Sequence, residues 1–349
     1  MTPPVISTVP LQKSTGTTFY LVYLDTTKTG ASKKTTDGLV VVNGGELDVA
    51  GLFNFCRDVN STGTVRLNGG LFKVENLTMT RGKGYLYFNG GTYAPYGAAA
   101  ENRTLTGLTA AYVSTNGAVI STANAGDGAY TIAQNLLHDP ALTGVDGGLV
   151  KTGGGLLTLS GANTYTGPTA VAGGTLRITG SVASDELILS KAGVIDLLGG
   201  TLTFPNVTSL DGSLAPQAVN GTLRVGERLT VGATEGAYGT VFTTTNLTLA
   251  AGATLALTVD DAGTAGDLLV VEGDLACEGA LTVDFGRTAA DPLTYGMKIP
   301  LAEVTGEVTA PTKVLAENSG LDPVALSASV EDGVLYVSLN TGGTLLIFR

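Results

Sequence analysis

The chain has 349 residues, 50 of them glycine, and only 14% are Asp, Glu, Lys or Arg. Low charge with 43% hydrophobic residues excludes a disordered polar tail, which requires the opposite balance. A formal net charge of −11 excludes a nucleic-acid-binding domain built on a basic face, and a single histidine excludes His-rich metal sites.

In chain order, residues 1–16 lack the charged and apolar regions of a signal peptide, so an exported protein would carry its leader outside this chain. From Asn43 a phrase recurs: an Asn-Gly or Gly-Gly corner, then a short run alternating apolar and polar. It reads NGGELDV at Asn43, NGGLFKV at Asn68 and NGGTY at Asn89. It returns as GGTLRIT at Gly173, GGTLTF at Gly199 and NGTLRV at Asn220. Alternation of period two is a strand with one buried face, and Gly and Asn supply the positive φ of a tight corner. Recurrence at about 20–25 residues is the length of one solenoid coil, whereas a β-sandwich has no reason to repeat its phrase at that interval.

Between 91 and 146 the cadence loosens, which suggests irregular coils or a small insertion. The best helical window, 129–144, is cut by Pro140 and offers two or three turns at most. From Leu247 the cadence continues through LTLAAGATLALTV and LVVEGDLACEGALTVDF. Pro292, Pro300 and Pro311 predict a looser transition over 292–322, and residues 331–348 predict two strands forming a hairpin cap. The organisation expected is an all-β right-handed parallel β-helix over 1–290, with transition and capping strands over 291–349.

Residues 149–178 read LVKTGGGLLTLSGANTYTGPTAVAGGTLRI. This resembles the autotransporter-associated β-strand repeat through Lys151, Gly153, Gly155, Leu157, Leu159, Gly161, Asn163, Thr164, Tyr165, Gly167, Thr169, Val171, Gly174, Thr175 and Leu176. It departs at Pro168, where a small residue is usual. A softer likeness to the late part of autotransporter passengers covers 265–286. The resemblance implies a secreted or surface-displayed bacterial β-helix, with the repeat as scaffold rather than catalytic machinery. A transporter barrel needs many strands of about ten residues. The tail after Gly286 is too short for one. The chain is therefore expected to be a truncated passenger or a secreted relative without a barrel, and its finish, GTLLIFR, reads as a natural C-terminus.

No catalytic, cofactor or metal site is expected. His138 has only Asp139 beside it in sequence, and neither a nucleophile elbow nor a phosphate loop occurs. The acidic candidates for a polysaccharide-degrading enzyme are Asp260, Asp261, Asp267, Glu272 and Asp274. The last two share one strand face, but so do ordinary solvated positions. Weak calcium binding there is a further alternative. Tyr85, Tyr87, Tyr93 and Tyr96 form either a sugar-stacking strip or coil-stacked and inward rings. Cys56 and Cys277 read as unpaired small hydrophobes, and sequons begin at Asn60, Asn76, Asn102, Asn206 and Asn246. The function expected is a non-enzymatic structural or adhesive module meeting a surface glycan or another protein. The alternatives are a carbohydrate-active β-helix enzyme and a filament subunit associating end to end. Neither a nucleic-acid partner nor a membrane-spanning segment is expected.

Overall fold

The computed structural model describes residues 18–20, 37–56, 59–96, 104–123, 129–190, 193–210, 217–232, 239–261, 266–287, 291–321 and 324–341. They form two units, 1–185 and 186–349, each described by itself. Both are built from strands, and no helix occurs among the described residues.

In the first unit each strand pairs in parallel with its counterpart one coil along. The strand Asp37–Asn54 runs beside Thr62–Thr78, which runs beside Lys83–Phe88 and Thr92–Pro95. Parallel register places like positions directly above one another, and the alternating pattern then sorts them into inward columns. One column is Val40, Val65, Leu86, Ala111 and Leu136, each paired with the next and each buried. A second is Leu47, Phe72, Tyr93, Ile120, Lys151 and Val171. A third is Leu105, Ile132, Leu159 and Ile178. Each fully buried Leu, Val or Phe contributes about 1.5–3 kcal/mol relative to exposure, so these columns are the main stabilising force.

The corners have their own ladder. Asn68 donates through its amide to Asn43 Oδ1 at 2.9 Å, and Asn89 donates to Asn68 Oδ1 at 3.2 Å. Asn89 Oδ1 then accepts the backbone N–H of Asn116 at 3.0 Å. The recurring asparagines are thus satisfied by the same residue one coil away.

The window 129–144 holds no helix. It contains the strands Ala129–Ile132 and Leu136–His138, paired in parallel with Leu156–Leu159 and Ala110–Val113. The apolar residues that suggested a helical face are consumed by period-two burial: Tyr130, Ile132 and Leu136 point inward.

The second unit repeats the plan. Leu187, Val207, Leu229, Leu255 and Val283 form one buried column. Phe204, Val225, Leu249 and Cys277 form another. The proline-bearing stretch 292–322 is more regular than its composition suggests, because Lys298–Val304, Val308–Thr309 and Lys313–Ser319 all extend the parallel ladders. Val324–Glu331 and Val334–Thr341 then form an antiparallel hairpin whose second strand pairs with Lys298–Val304. The hairpin begins earlier than the sequence implies. Its turn falls at Asp332 and Gly333, both at positive φ, so 334–341 is the return strand rather than the outgoing one. The final residues, 342–349, lie outside the described set.

Candidate functional site

The segment 149–178 is built around one buried charge. Lys151, in the strand Leu149–Thr152, is fully buried at a column position otherwise held by Tyr93, Ile120 and Val171. Its ammonium turns to the corner and donates to the carbonyls of Thr152, Gly153 and Gly173 at 3.0, 2.7 and 2.8 Å. Burial lowers the ammonium pKa to about 8. Gly153, Gly155 and Gly174 bring those corners close: Gly174 stands at φ +65°, and a Cβ there would lie 2.5 Å from both the Gly153 and Gly155 carbonyl oxygens. Leu157 and Leu176 are paired and buried, while Thr175 flanks Leu156 on the outer face.

The opposite corner is held by two side chains. Asn163, 1% exposed, accepts the Leu136 N–H at 3.0 Å and donates to the Gly161 and Ser181 carbonyls, so one amide ties three successive coils. Thr164 is exposed and donates its N–H to Leu136, whereas Tyr165 is buried with its hydroxyl 2.7 Å from Thr169 Oγ1. Asp146, outside the matched motif, accepts from the backbone N–H groups of Gly148, Thr166 and Gly167. It also meets His138 Nδ1 at 2.8 Å. Burial pushes its carboxyl up, but the N–H donors and His138 outweigh this and leave it below the usual carboxylate range. The Asp146-Gly-Gly triplet was the one sequence signal for this clasp. The lone histidine thus braces a corner carboxylate.

On the outer faces of the first unit, two clusters stand out. Tyr93 is not part of an exposed strip, because it is 1% exposed with its hydroxyl 2.7 Å from that of Tyr130. Tyr87 and Tyr112 lie outward one coil apart with ring centroids 5.1 Å apart, and the Arg66 guanidinium, one coil before, lies over the Tyr87 ring at 4.2 Å. Tyr85 sits two residues from Tyr87 on the same face. Elsewhere, Lys73 bridges Glu46 and Asp48 at 2.9 and 3.3 Å, and Tyr96 donates to Asp48 at 2.8 Å. Burial, then the bond to Asp48, raises the Tyr96 phenol, which makes it a poor base. Lys73 offsets one of the two negative charges it joins.

Among the described residues, no three of the acidic candidates of the second unit come together. Asp267 is buried and accepts the N–H groups of Thr240 and Thr258 at 2.9 Å. Asp261 pairs with Arg287 at 2.8 Å. Glu272 and Asp274 are exposed in the turn after Leu268–Val271 rather than on a strand, and Asp274 accepts the Glu307 N–H. Cys56 and Cys277 are both buried and free. Of the sequons, Asn102 lies outside the described residues, and Asn246 is committed to the Asp274 N–H. Among the described residues no group of three His, Cys, Asp or Glu side chains is placed to hold a metal ion. No helix among them is long and apolar enough to cross a membrane.

With this geometry in place, comparison with known proteins is informative. Residues 149–178 match the passenger-associated-transport-repeat, the same segment whose Lys151 nest and Asn163 tie are described above. Over 169 residues, 47% of this chain, the sequence is 34% identical to the adhesin BmaC autotransporter of Brucella suis biovar 1 (strain 1330). Over 79 residues, 23% of this chain, it is 47% identical to an extracellular serine protease of Serratia marcescens. The chain covers 5% of the first relative and 7% of the second, a small part of either.

Proposed function

We propose that this chain is part of an autotransporter passenger: a right-handed parallel β-helix, secreted or held at the bacterial cell surface, that acts as a non-enzymatic structural or adhesive module. The observation that carries this reading is the match of 149–178 to the passenger repeat at a segment whose buried Lys151 and Asn163 are spent on holding its own coils. Similarity to an adhesin over 47% of the chain supports the surface role. The likeness to a protease covers 23% of the chain and lends no activity by itself. A hydrolase or lyase needs an uncommitted acid and base, whereas Glu46 and Asp48 are joined by Lys73, and Asp261 and Asp291 by Arg287. The test is a turnover screen on the purified chain with labelled casein and with neutral and acidic polysaccharides, with and without calcium. No new peptides, reducing ends or unsaturated sugars are expected; sustained release of any would sink the non-enzymatic reading. Antibody labelling of intact source cells tests the surface location. Signal only after permeabilisation would argue for an intracellular protein.

A further inference from the structure

Among the described residues, five cations are committed to carboxylates. Lys73 holds Glu46 and Asp48, Arg224 holds Glu278, Arg228 holds Asp284, Arg287 holds Asp261 and Asp291, and Lys298 holds Glu331. Arg66 and Lys83 are different. Both are exposed, they sit on adjacent coils of one outer face, and their side chains donate to no acceptor among the described residues. Arg81, also exposed and unpaired among those residues, lies in the turn that leads into the Lys83–Phe88 strand.

The face is polar and aromatic as well as cationic. Arg66, Tyr87 and Tyr112 occupy one outward column on three successive coils, and Thr64 and Tyr85 occupy the next. Among the described residues of these coils no carboxylate stands on it. Asp139, one residue past the strand that pairs with Ala110–Val113, is buried and accepts from Ser114 Oγ at 2.6 Å. The outward carboxylate in register is Asp37, two coils from Lys83. A guanidinium stacked on a ring has its stem and plane fixed while its N–H edge stays open, which is the pre-organised fork that takes an oxyanion in two bonds. The phenol edges beside it add hydroxyl donors and acceptors.

The geometry points to a binding surface for an anionic polysaccharide, with carboxylate or sulfate groups taken by Arg66, Lys83 and Arg81, and sugar hydroxyls by Tyr85, Tyr87 and Tyr112. This rests on the reading of the chain as an extracellular module. Coils are spaced by about 4.8 Å, a step comparable to one sugar ring along a chain. A nucleic acid fits poorly: Arg66 and Tyr112, on the coils before and after, already pack against the Tyr87 ring, which leaves little of it for a base to stack on. The net charge of −11 also opposes the dense charge of a phosphate backbone.

The experiment measures binding of the whole chain to immobilised polygalacturonate and dextran sulfate, with neutral dextran and a single-stranded oligonucleotide as comparators, across a salt series. The expected result is binding to one or both anionic polysaccharides that weakens with salt, none to dextran, and weaker binding to the oligonucleotide. The polymer preferred tells carboxylate from sulfate recognition. The pair Arg66→Ala and Lys83→Ala should lose at least tenfold in affinity, Arg66→Lys a part of that, and Lys313→Ala in the other unit nothing. Unfolding midpoints of the variants show that each is folded. Absence of binding to both anionic polymers, undiminished binding by the double variant, or tighter binding of the oligonucleotide overturns the proposal. Non-binding without turnover removes this surface alone, whereas turnover removes the functional reading beneath it.

Discussion

Lys151 replaces an apolar side chain in a column of Tyr93, Ile120 and Val171, and its ammonium is held by three carbonyls, with no carboxylate partner among the described residues. Lys151→Ala removes those bonds and leaves a void, and should lower the unfolding free energy by about 3 kcal/mol. Its pH signature is distinctive. The folded-state pKa, about 8, lies below the ordinary 10.5, so between these values the unfolded chain binds the extra proton and stability rises with pH. Denaturant midpoints at pH 7.5 and 9.5 should show a rise in the parent chain that Lys151→Met lacks. Asp146 behaves oppositely. Its folded pKa is depressed, so its contribution is present above the usual carboxylate range and is lost as pH falls through the folded value. Asp146→Asn should be less stable at pH 7 and show a flatter acid limb in the same assay. At Cys277, burial pushes the thiol up to about 11, so a thiol reagent at pH 8 should label neither cysteine until denaturant is added.

At the scale of a coil, the same residue type does unequal work according to burial. Asn68 sits in an exposed corner ladder, and its replacement by Ala should cost about 1 kcal/mol or less. Asn163 makes three bonds at 1% exposure and ties coils on either side, so Asn163→Ala should cost about 2–4 kcal/mol. Equal effects of the two substitutions on the urea midpoint would show that burial does not set the difference. Legibility at this scale was mixed. The Gly-Gly-Thr-Leu phrase exposed a corner and an inward strand because both requirements are local. The window 129–144 was ambiguous because its apolar residues suit either period, and only pairing with 110–113 and 156–159 selects the strand.

Across a solenoid, each coil touches only its neighbours, so damage should stay near its source. In the first unit, Gly174→Ala introduces a Cβ against two carbonyl oxygens at a positive φ. Hydrogen exchange should then accelerate most in the strands Leu149–Thr152 and Leu156–Leu159, and least in Asp37–Asn54. Uniform loss of protection would indicate that the unit unfolds as one cooperative block instead.

The sequence alone determined that this protein is all-β, coil-repeating and related in its 149–178 segment to passenger repeats. Period-two alternation, Gly corners and motif order are written within short stretches of chain. It also identified Lys151, Asn163 and Tyr165 as motif members without saying what they hold. Tertiary structure decided the partners. Whether a tyrosine faces in, like Tyr93, or out, like Tyr87, depends on the phase of its strand against the column it joins. That Asp146 grips a corner, that Asp267 is buried, and that Arg66 meets no carboxylate among the described residues while Arg228 meets one are matters of which residue arrives one or two coils later. Coil length varies along the chain, so that register is set only when the coils stack.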